Sequence, residues 1–175
     1  ESIGALFNGR SVVFADAEAA ENPARLADLI LRHHVGMLSL TPSRLQAYLR
    51  HPAFRQAASQ LECLVCGGEA YPSALLRQLK RWTAARLYNQ YGPSEATIGV
   101  CMKELTHARR ITAGQPLPGC RLLVLDPEGQ PLPCECIGEL WIGGSCLALG
   151  YDQDEDKTRE RFQPLACLQG ERASG

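Results

Sequence analysis

Asn89-Gln90-Tyr91-Gly92-Pro93-Ser94-Glu95-Ala96-Thr97 sets a planar amide, an aromatic ring, a Gly-Pro turn, a hydroxyl and a carboxylate side by side. Glycine tolerates backbone angles closed to other residues and proline fixes its own φ, so Gly92-Pro93 turns the chain. Side chains on either side of such a turn can converge on one ligand. A ring before it can stack on a base, an amide can read an exocyclic amine, and a hydroxyl with a carboxylate can hold a phosphate and its Mg²⁺. The same residues also suit an ordinary strand-to-helix loop in which Ser94 caps a helix and Tyr91 packs in a core.

Working outward from this stretch, apolar runs alternate with helical patterns through residue 101. Residues 11–14 read as a strand, 23–33 as a helix and 35–40 as a strand. Residues 42–49 read as a helix with Thr41 as cap and Pro42 in its first turn, where the missing N–H costs little. Residues 61–66 form the next strand, 72–82 the next helix, and 86–88 a strand that runs into the turn. Strands separated by single helices imply parallel pairing with right-handed crossovers. After about residue 110 the helical period disappears and glycine and proline become frequent. There, residues 120–125 and 137–142 are β-rich and joined by the turn signal Asp126-Pro127-Glu128-Gly129. Residues 152–161 are charged and helix-like, and the tail from residue 163 shows no strong period. The expected fold is therefore α/β. A parallel, helix-covered sheet, half of a flavodoxin-like layer, spans residues 1–110. A small antiparallel β subdomain spans residues 111–152, and a helix-like segment with a tail spans residues 153–175.

Composition narrows the partners. The chain has 175 residues, 45% hydrophobic and 21% charged, with a net charge of −1. With no basic block there is no electrostatic footprint for nucleic acid or an anionic membrane, which points to a small-molecule ligand. No apolar run approaches the roughly 20 residues that span a bilayer, and Glu1-Ser2-Ile3-Gly4 carries no leader pattern, so a reducing cytoplasm is the expected compartment. The eight cysteines include Cys63-x-x-Cys66 and Cys134-x-Cys136, which resemble zinc half-sites. Cys63 and Cys66 fall in a strand where residues three apart face opposite ways, and no histidine lies at ligand spacing; most of these thiols are expected as small buried hydrophobes.

The Tyr91-Gly92-Pro93-Ser94-Glu95 stretch resembles the core motif of the adenylate-forming superfamily, and most closely that of amino-acid adenylation domains in nonribosomal peptide synthetases. Three further landmarks agree in order and spacing. They are Thr41-Pro42-Ser43, Gly67-Gly68-Glu69-Ala70, and Gly138-Glu139-Leu140-Trp141-Ile142-Gly143-Gly144 followed by Leu149-Gly150-Tyr151. The resemblance runs from the first residue to about Phe162. It implies an enzyme in which a carboxylate attacks the α-phosphorus of ATP, pyrophosphate leaves, and an acyl-adenylate passes to the phosphopantetheine thiol of a carrier domain. The implied partners are an amino acid and the carrier and condensation domains of a parent synthetase.

Carried over residue by residue, the resemblance implies that Glu95 associates with Mg²⁺ and that Ser94, where threonine is commoner, donates to the α-phosphate. It implies that Tyr91 stacks on adenine, that Asn89 reads the adenine amino group, and that Gln90 and Gly92 complete that loop. Gly67, Gly68 and Ala70 form a second loop against the nucleotide. Ser39, Val65, Gly67, Gln90, Ile98 and Gly99 occupy the substrate-pocket positions. That set carries no charge, which favours a neutral or moderately polar amino acid. One departure stands out: Ala148-Leu149-Gly150-Tyr151 holds leucine where the family usually has arginine, removing a bidentate donor.

The resemblance also implies groups outside this sequence: an amine-binding aspartate before Glu1, a phosphate loop further upstream, a ribose-binding aspartate after residue 175, and a catalytic lysine beyond it. The 175 residues alone are therefore expected to lack turnover, since groups that act as a constellation fail together. Two other readings share the landmarks: an acyl- or aryl-CoA ligase of the same fold, and a non-catalytic nucleotide-binding module.

Overall fold

The computed structural model of the chain describes residues 2–164 and 172–174. These divide into two compact units, Glu1–Tyr88 with Leu105–Arg109, and Asn89–Glu104 with Arg110–Gly175.

In the first unit, three helices begin with proline in the first turn, where no intrahelical N–H is required: α3 (Pro23–Arg32), α4 (Pro42–Tyr48) and α5 (Pro52–Ala58). They follow two short helices, α1 (Ser2–Phe7) and α2 (Ala17–Glu21). Caps hold several of these starts. Asn22 Oδ1 accepts from Ala24 N at 2.9 Å, and Thr41 Oγ1 accepts from Arg44 N at 3.4 Å, as expected of Thr41. Strands β1 (Met37–Leu40) and β2 (Cys63–Gly67) pair in parallel, with Ser39 opposite Val65 and Leu40 opposite Cys66. After α6 (Ser73–Trp82), β3 (Arg86–Tyr91) starts in this unit and ends in the second. Phe54, Leu45, Leu75, Leu79, Leu87 and Leu105 are fully buried, and Phe54 meets Tyr48 edge-on at 5.4 Å. Leu26, Ala27 and Ile30 on α3, like Leu75, Leu76 and Leu79 on α6, are the buried stripes that helical periodicity demands.

Residues 11–14, expected as a strand, form none. Val12, Val13 and Phe14 have strand-forming side chains, but Phe14 is 78% exposed and, among the described residues, no strand supplies the pairing that gives β-propensity its effect. Conversely, α5 has no counterpart in the sequence reading. It is only 7 residues long, with Phe54, Ala57 and Ala58 buried.

In the second unit, one 3₁₀ turn (Ser94–Ala96) follows β3. Strand β4 (Cys101–Glu104) then pairs antiparallel with β5 (Gln115–Pro116), Cys101 opposite Pro116. Strands β6 (Cys120–Leu125) and β7 (Glu139–Gly144) form the expected antiparallel pair, from Cys120 opposite Gly144 to Leu125 opposite Glu139. The Asp126–Gly129 turn does not lead straight into β7. It first returns the chain to β6, where Leu125 bridges Pro131 and Leu132 N donates to Val124 O at 2.8 Å.

Helix α7 (Glu155–Arg161) opens on an Asp154 cap, has Glu155 and Asp156 in its first turn and ends on Arg159 and Arg161, the polarity that the helix dipole favours. The tail carries β8 (Phe162–Pro164) and β9 (Arg172–Ser174), which complete a sheet in the order β6-β7-β9-β8. The remaining tail residues, Cys167 among them, lie outside the described residues. Ala96, Val100, Cys101 and Ile142 form this unit's core, with Leu122, Cys146 and Leu147 packed against it. Cys66 and Cys101 are buried as expected, but Cys63, Cys120 and Cys146 are only half-buried, and Cys134 and Cys136 are exposed because the connection from Pro131 back to β7 runs over the surface. No described helix is long and apolar enough to cross a membrane.

Candidate functional site

In the first unit, the carboxyl ends of β1 and β2 run into Thr41-Pro42-Ser43 and Gly67-Gly68-Glu69-Ala70. Those strand ends are where ligands bind in open parallel sheets. The two segments are joined by Glu69, whose carboxylate accepts from Ser43 N at 3.1 Å and from Ser43 Oγ at 2.7 Å. Gly68 has φ +79°, a backbone that side chains rarely adopt, while a Cβ there would meet only Thr41 Cγ2 at 3.8 Å. Conformation, not crowding, requires glycine at this position. Gly68 and Ala70 are exposed and Gly67 half-buried. Ser39 and Val65 are register partners and so share a sheet face, which Gly67, two residues on, also shares. Val65 is 2% exposed and Ser39 half-buried.

The Ser43 hydroxyl and amide hold the Glu69 carboxyl below its ordinary value of 4.5. A folded-state value depressed in this way contributes stability that is present above the unfolded pKa and lost as pH falls through the folded one. Ser43→Ala removes the strongest of these bonds. The variant is expected to lose less stability than wild type between neutral pH and acid, as read from thermal midpoints across that range.

In the second unit, the motif forms a loop closed on itself. Val100 N donates to Tyr91 O at 2.8 Å, and Ala96 N and Ile98 N each donate to Pro93 O at 3.2 Å. Closure brings backbone against Gly92, where a Cβ would stand 2.7 Å from Ile98 C and 2.8 Å from Val100 N. The chain then passes through the left-handed region at two side-chain-bearing residues, Thr97 (φ 58°) and Ile98 (φ 70°). This geometry pushes Ile98 outward to 73% exposure and leaves Tyr91 41% exposed. Ser94 is exposed and caps nothing, since Pro93 occupies the cap position of the 3₁₀ turn and makes no side-chain bond. The bland alternative, with Tyr91 in the core and Ser94 as cap, is therefore not what forms.

Asn89 is 8% exposed, and its Nδ2 donates to Thr112 O at 2.9 Å, so an acceptor role towards a ligand falls to Oδ1. Gln90 lies over Gly99, where a Cβ would collide with Nε2 and stand 3.1 Å from Cδ. The two expected pocket positions are thus coupled, Gly99 making room for the Gln90 amide.

The loop is strapped to the segment after β7. Ala148 N donates to Glu95 O at 2.8 Å and Thr97 Oγ1 donates to Cys146 O at 2.6 Å. Tyr151 Oη donates to Glu95 Oε1 across 56 positions of sequence. This hydroxyl is the main reason that the Glu95 carboxyl titrates below its ordinary range; its own backbone N–H and the charges of Lys157 and Arg161 act in the same direction. Glu95 is therefore ionised at neutral pH. The Tyr151 hydroxyl is correspondingly pushed up by Glu95. Tyr151 is itself fixed: its N donates to Thr158 Oγ1 at 2.9 Å, its ring meets Phe162 edge-on at 5.8 Å, and Lys157 Nζ lies 4.3 Å from the ring centre. Sequence reading gave Tyr151 only as a landmark beside Gly150, and nothing in the spacing links it to Glu95.

A half-buried, ionised carboxylate beside an exposed hydroxyl suits a hard cation with oxygen ligands. Among the described residues, no three His, Cys, Asp or Glu side chains gather into a cluster of their own. A surface hollow of about 600 Å³ lined by Cys120, Arg121, Ser145, Leu147 and Leu149 includes none of the expected ligand residues.

Residues 1–152 match the family described as AMP-binding enzyme. Malpibaldin synthetase of Mortierella alpina is 38% identical over 169 residues, covering 91% of this chain and 3% of that protein. Enterobactin synthase component F of Escherichia coli is 32% identical over 174 residues, covering 94% of this chain and 14% of that protein. A solved four-domain nonribosomal peptide synthetase bound to AMP and glycine superposes with a TM-score of 0.83 at 30% identity, covering 95% of this chain and 12% of that one. The chain thus spans a small part of the relatives that it matches.

Proposed function

The chain belongs to the AMP-binding enzyme family, and from that premise we propose that it supplies the nucleotide and substrate loops of a domain that adenylates an amino acid and loads it onto a carrier-domain phosphopantetheine thiol. The observation that carries this reading is the closed loop from Tyr91 to Val100. It leaves Tyr91 and Ser94 exposed and Glu95 half-buried, with the Glu95 carboxyl held below its ordinary range.

Adenylation joins two anions, so negative charge builds at phosphorus and has to be offset by cations and oriented donors. Glu95 is the residue to hold Mg²⁺, which when bound neutralises phosphate charge. Ser94 donates to the α-phosphate, Tyr91 stacks on adenine, and Asn89 Oδ1 accepts from the adenine amino group. Gly67, Gly68 and Ala70 bring main chain close to the nucleotide. Ser39, Val65, Gly67, Gln90, Ile98 and Gly99 select the acid. With no ionic side chain among those six, a neutral or moderately polar amino acid is the expected substrate.

The test is ATP–pyrophosphate exchange by the complete protein that carries this chain, across a panel of amino acids, fatty acids and aryl acids. Exchange driven by a neutral amino acid supports the proposal. Exchange with fatty or aryl acids alone would make it an acyl- or aryl-CoA ligase. ATP binding without exchange would make it a nucleotide-binding module.

A further inference from the structure

We infer that Tyr151 is a positioning residue for the Glu95 carboxylate, fixing one oxygen so that the remaining lone pairs meet the nucleotide-bound divalent cation in a set direction. The inference rests on the reading of Glu95 as the cation's ligand, and it assigns a task to a side chain that this reading leaves idle.

The geometry supports it at three levels. Glu95 starts with its main chain held, since its carbonyl accepts from Ala148 N at 2.8 Å and it sits within a 3₁₀ turn. A glutamate so anchored still has three side-chain torsions free, and a flexible carboxylate is a poor cation ligand because ordering it costs entropy. The Tyr151 hydroxyl removes that freedom by donating to Oε1. A carboxylate offers about four lone-pair sites, and the hydroxyl takes one, so cation binding and the tyrosine bond are compatible.

The tyrosine is in turn rigid. Its amide donates to Thr158 Oγ1, its ring stands edge-on to buried Phe162, and Lys157 covers the ring face. Gly150 precedes it with φ +146°, and a Cβ there would crowd Thr158 Cβ at 3.3 Å, so the approach of the chain to this position depends on glycine. This is the architecture of an outer-shell partner, whose loss weakens metal affinity while leaving the ligand in place.

The measurement is Mn²⁺ affinity by electron paramagnetic resonance in the complete protein with a non-hydrolysable ATP analogue, alongside exchange activity. Tyr151→Phe keeps the ring and removes only the hydroxyl. It is expected to weaken Mn²⁺ by roughly tenfold, to raise the Mg²⁺ concentration that half-saturates exchange in parallel, and to leave exchange at saturating Mg²⁺ much less affected. Glu95→Gln weakens Mn²⁺ further, and adding Tyr151→Phe to it changes nothing more. If Glu95→Gln weakens Mn²⁺ and Tyr151→Phe does not, or tightens it, the positioning role is overturned and the reading of Glu95 stands. If Glu95→Gln leaves Mn²⁺ affinity intact, the reading of Glu95 fails, and the inference with it. Should Tyr151→Phe not fold, Phe162→Leu loosens the same ring with the hydroxyl retained. A smaller weakening is then expected, and unchanged affinity overturns the inference.

Discussion

Replacing Glu95 by glutamine is expected to lower ATP–pyrophosphate exchange by about two orders of magnitude, the loss typical of removing one charge-stabilising group from a polar transition state. Glutamine has the same shape and keeps an oxygen for the Tyr151 hydroxyl, so the bond that joins the loop to the segment after β7 survives. Only the negative charge is lost. That charge is firmly present in the native protein, because the tyrosine hydroxyl and the nearby Lys157 and Arg161 hold the carboxyl ionised at neutral pH. The loss should therefore fall on turnover, with a thermal midpoint close to that of wild type. Full exchange by a folded Glu95→Gln protein would remove Glu95 from the reaction.

The second large effect is structural. Gly92→Ala is expected to destabilise the protein by about 3 kcal/mol, at the upper end for overpacking, because the atoms that a methyl would meet are main chain and cannot rotate away. Of those atoms, Ile98 C at 2.7 Å and Val100 N at 2.8 Å, the second donates the bond to Tyr91 O that closes the loop, so exchange should be lost as well. Gly129→Ala is the control. Gly129 has φ +76° and open space around it, so alanine there should cost about 1 kcal/mol from conformation alone. Urea titrations of both variants separate crowding from conformation through the difference in midpoint. Equal midpoints would mean that the loop opens to admit the methyl at little cost.

Much of the fold was legible because its signals are local. Thr41-Pro42 announces a helix start, and a capped helix begins there. The β-rich run at 120–125 marks a strand, and β6 occupies those positions. Residues 11–14 misled because strand preference counts only where a partner strand exists, and short α5 gave too few apolar positions to establish a period. The site divides in the same way. Tyr91, Ser94 and Glu95 could be named because they fall within one short motif. The partners that orient the motif could not, because they come from afar. Thr112 holds Asn89 from 23 positions away, and Tyr151 holds Glu95 from 56. No spacing rule reaches that far, and only folding reveals which hydroxyl meets which carboxylate.

The backbone at Ile98 bears on attempts to change the acid proposed to bind beside it. A β-branched residue at φ 70° is an uncommon and costly choice, whereas asparagine and glycine accept that conformation readily. If position 98 helps to choose the acid, as proposed, then randomising it samples relief of strain and change of preference at once. Small or amide side chains will be enriched in such a library partly because they relax the chain. Selections at this codon should therefore be scored against expression level before any winner is credited with a new substrate.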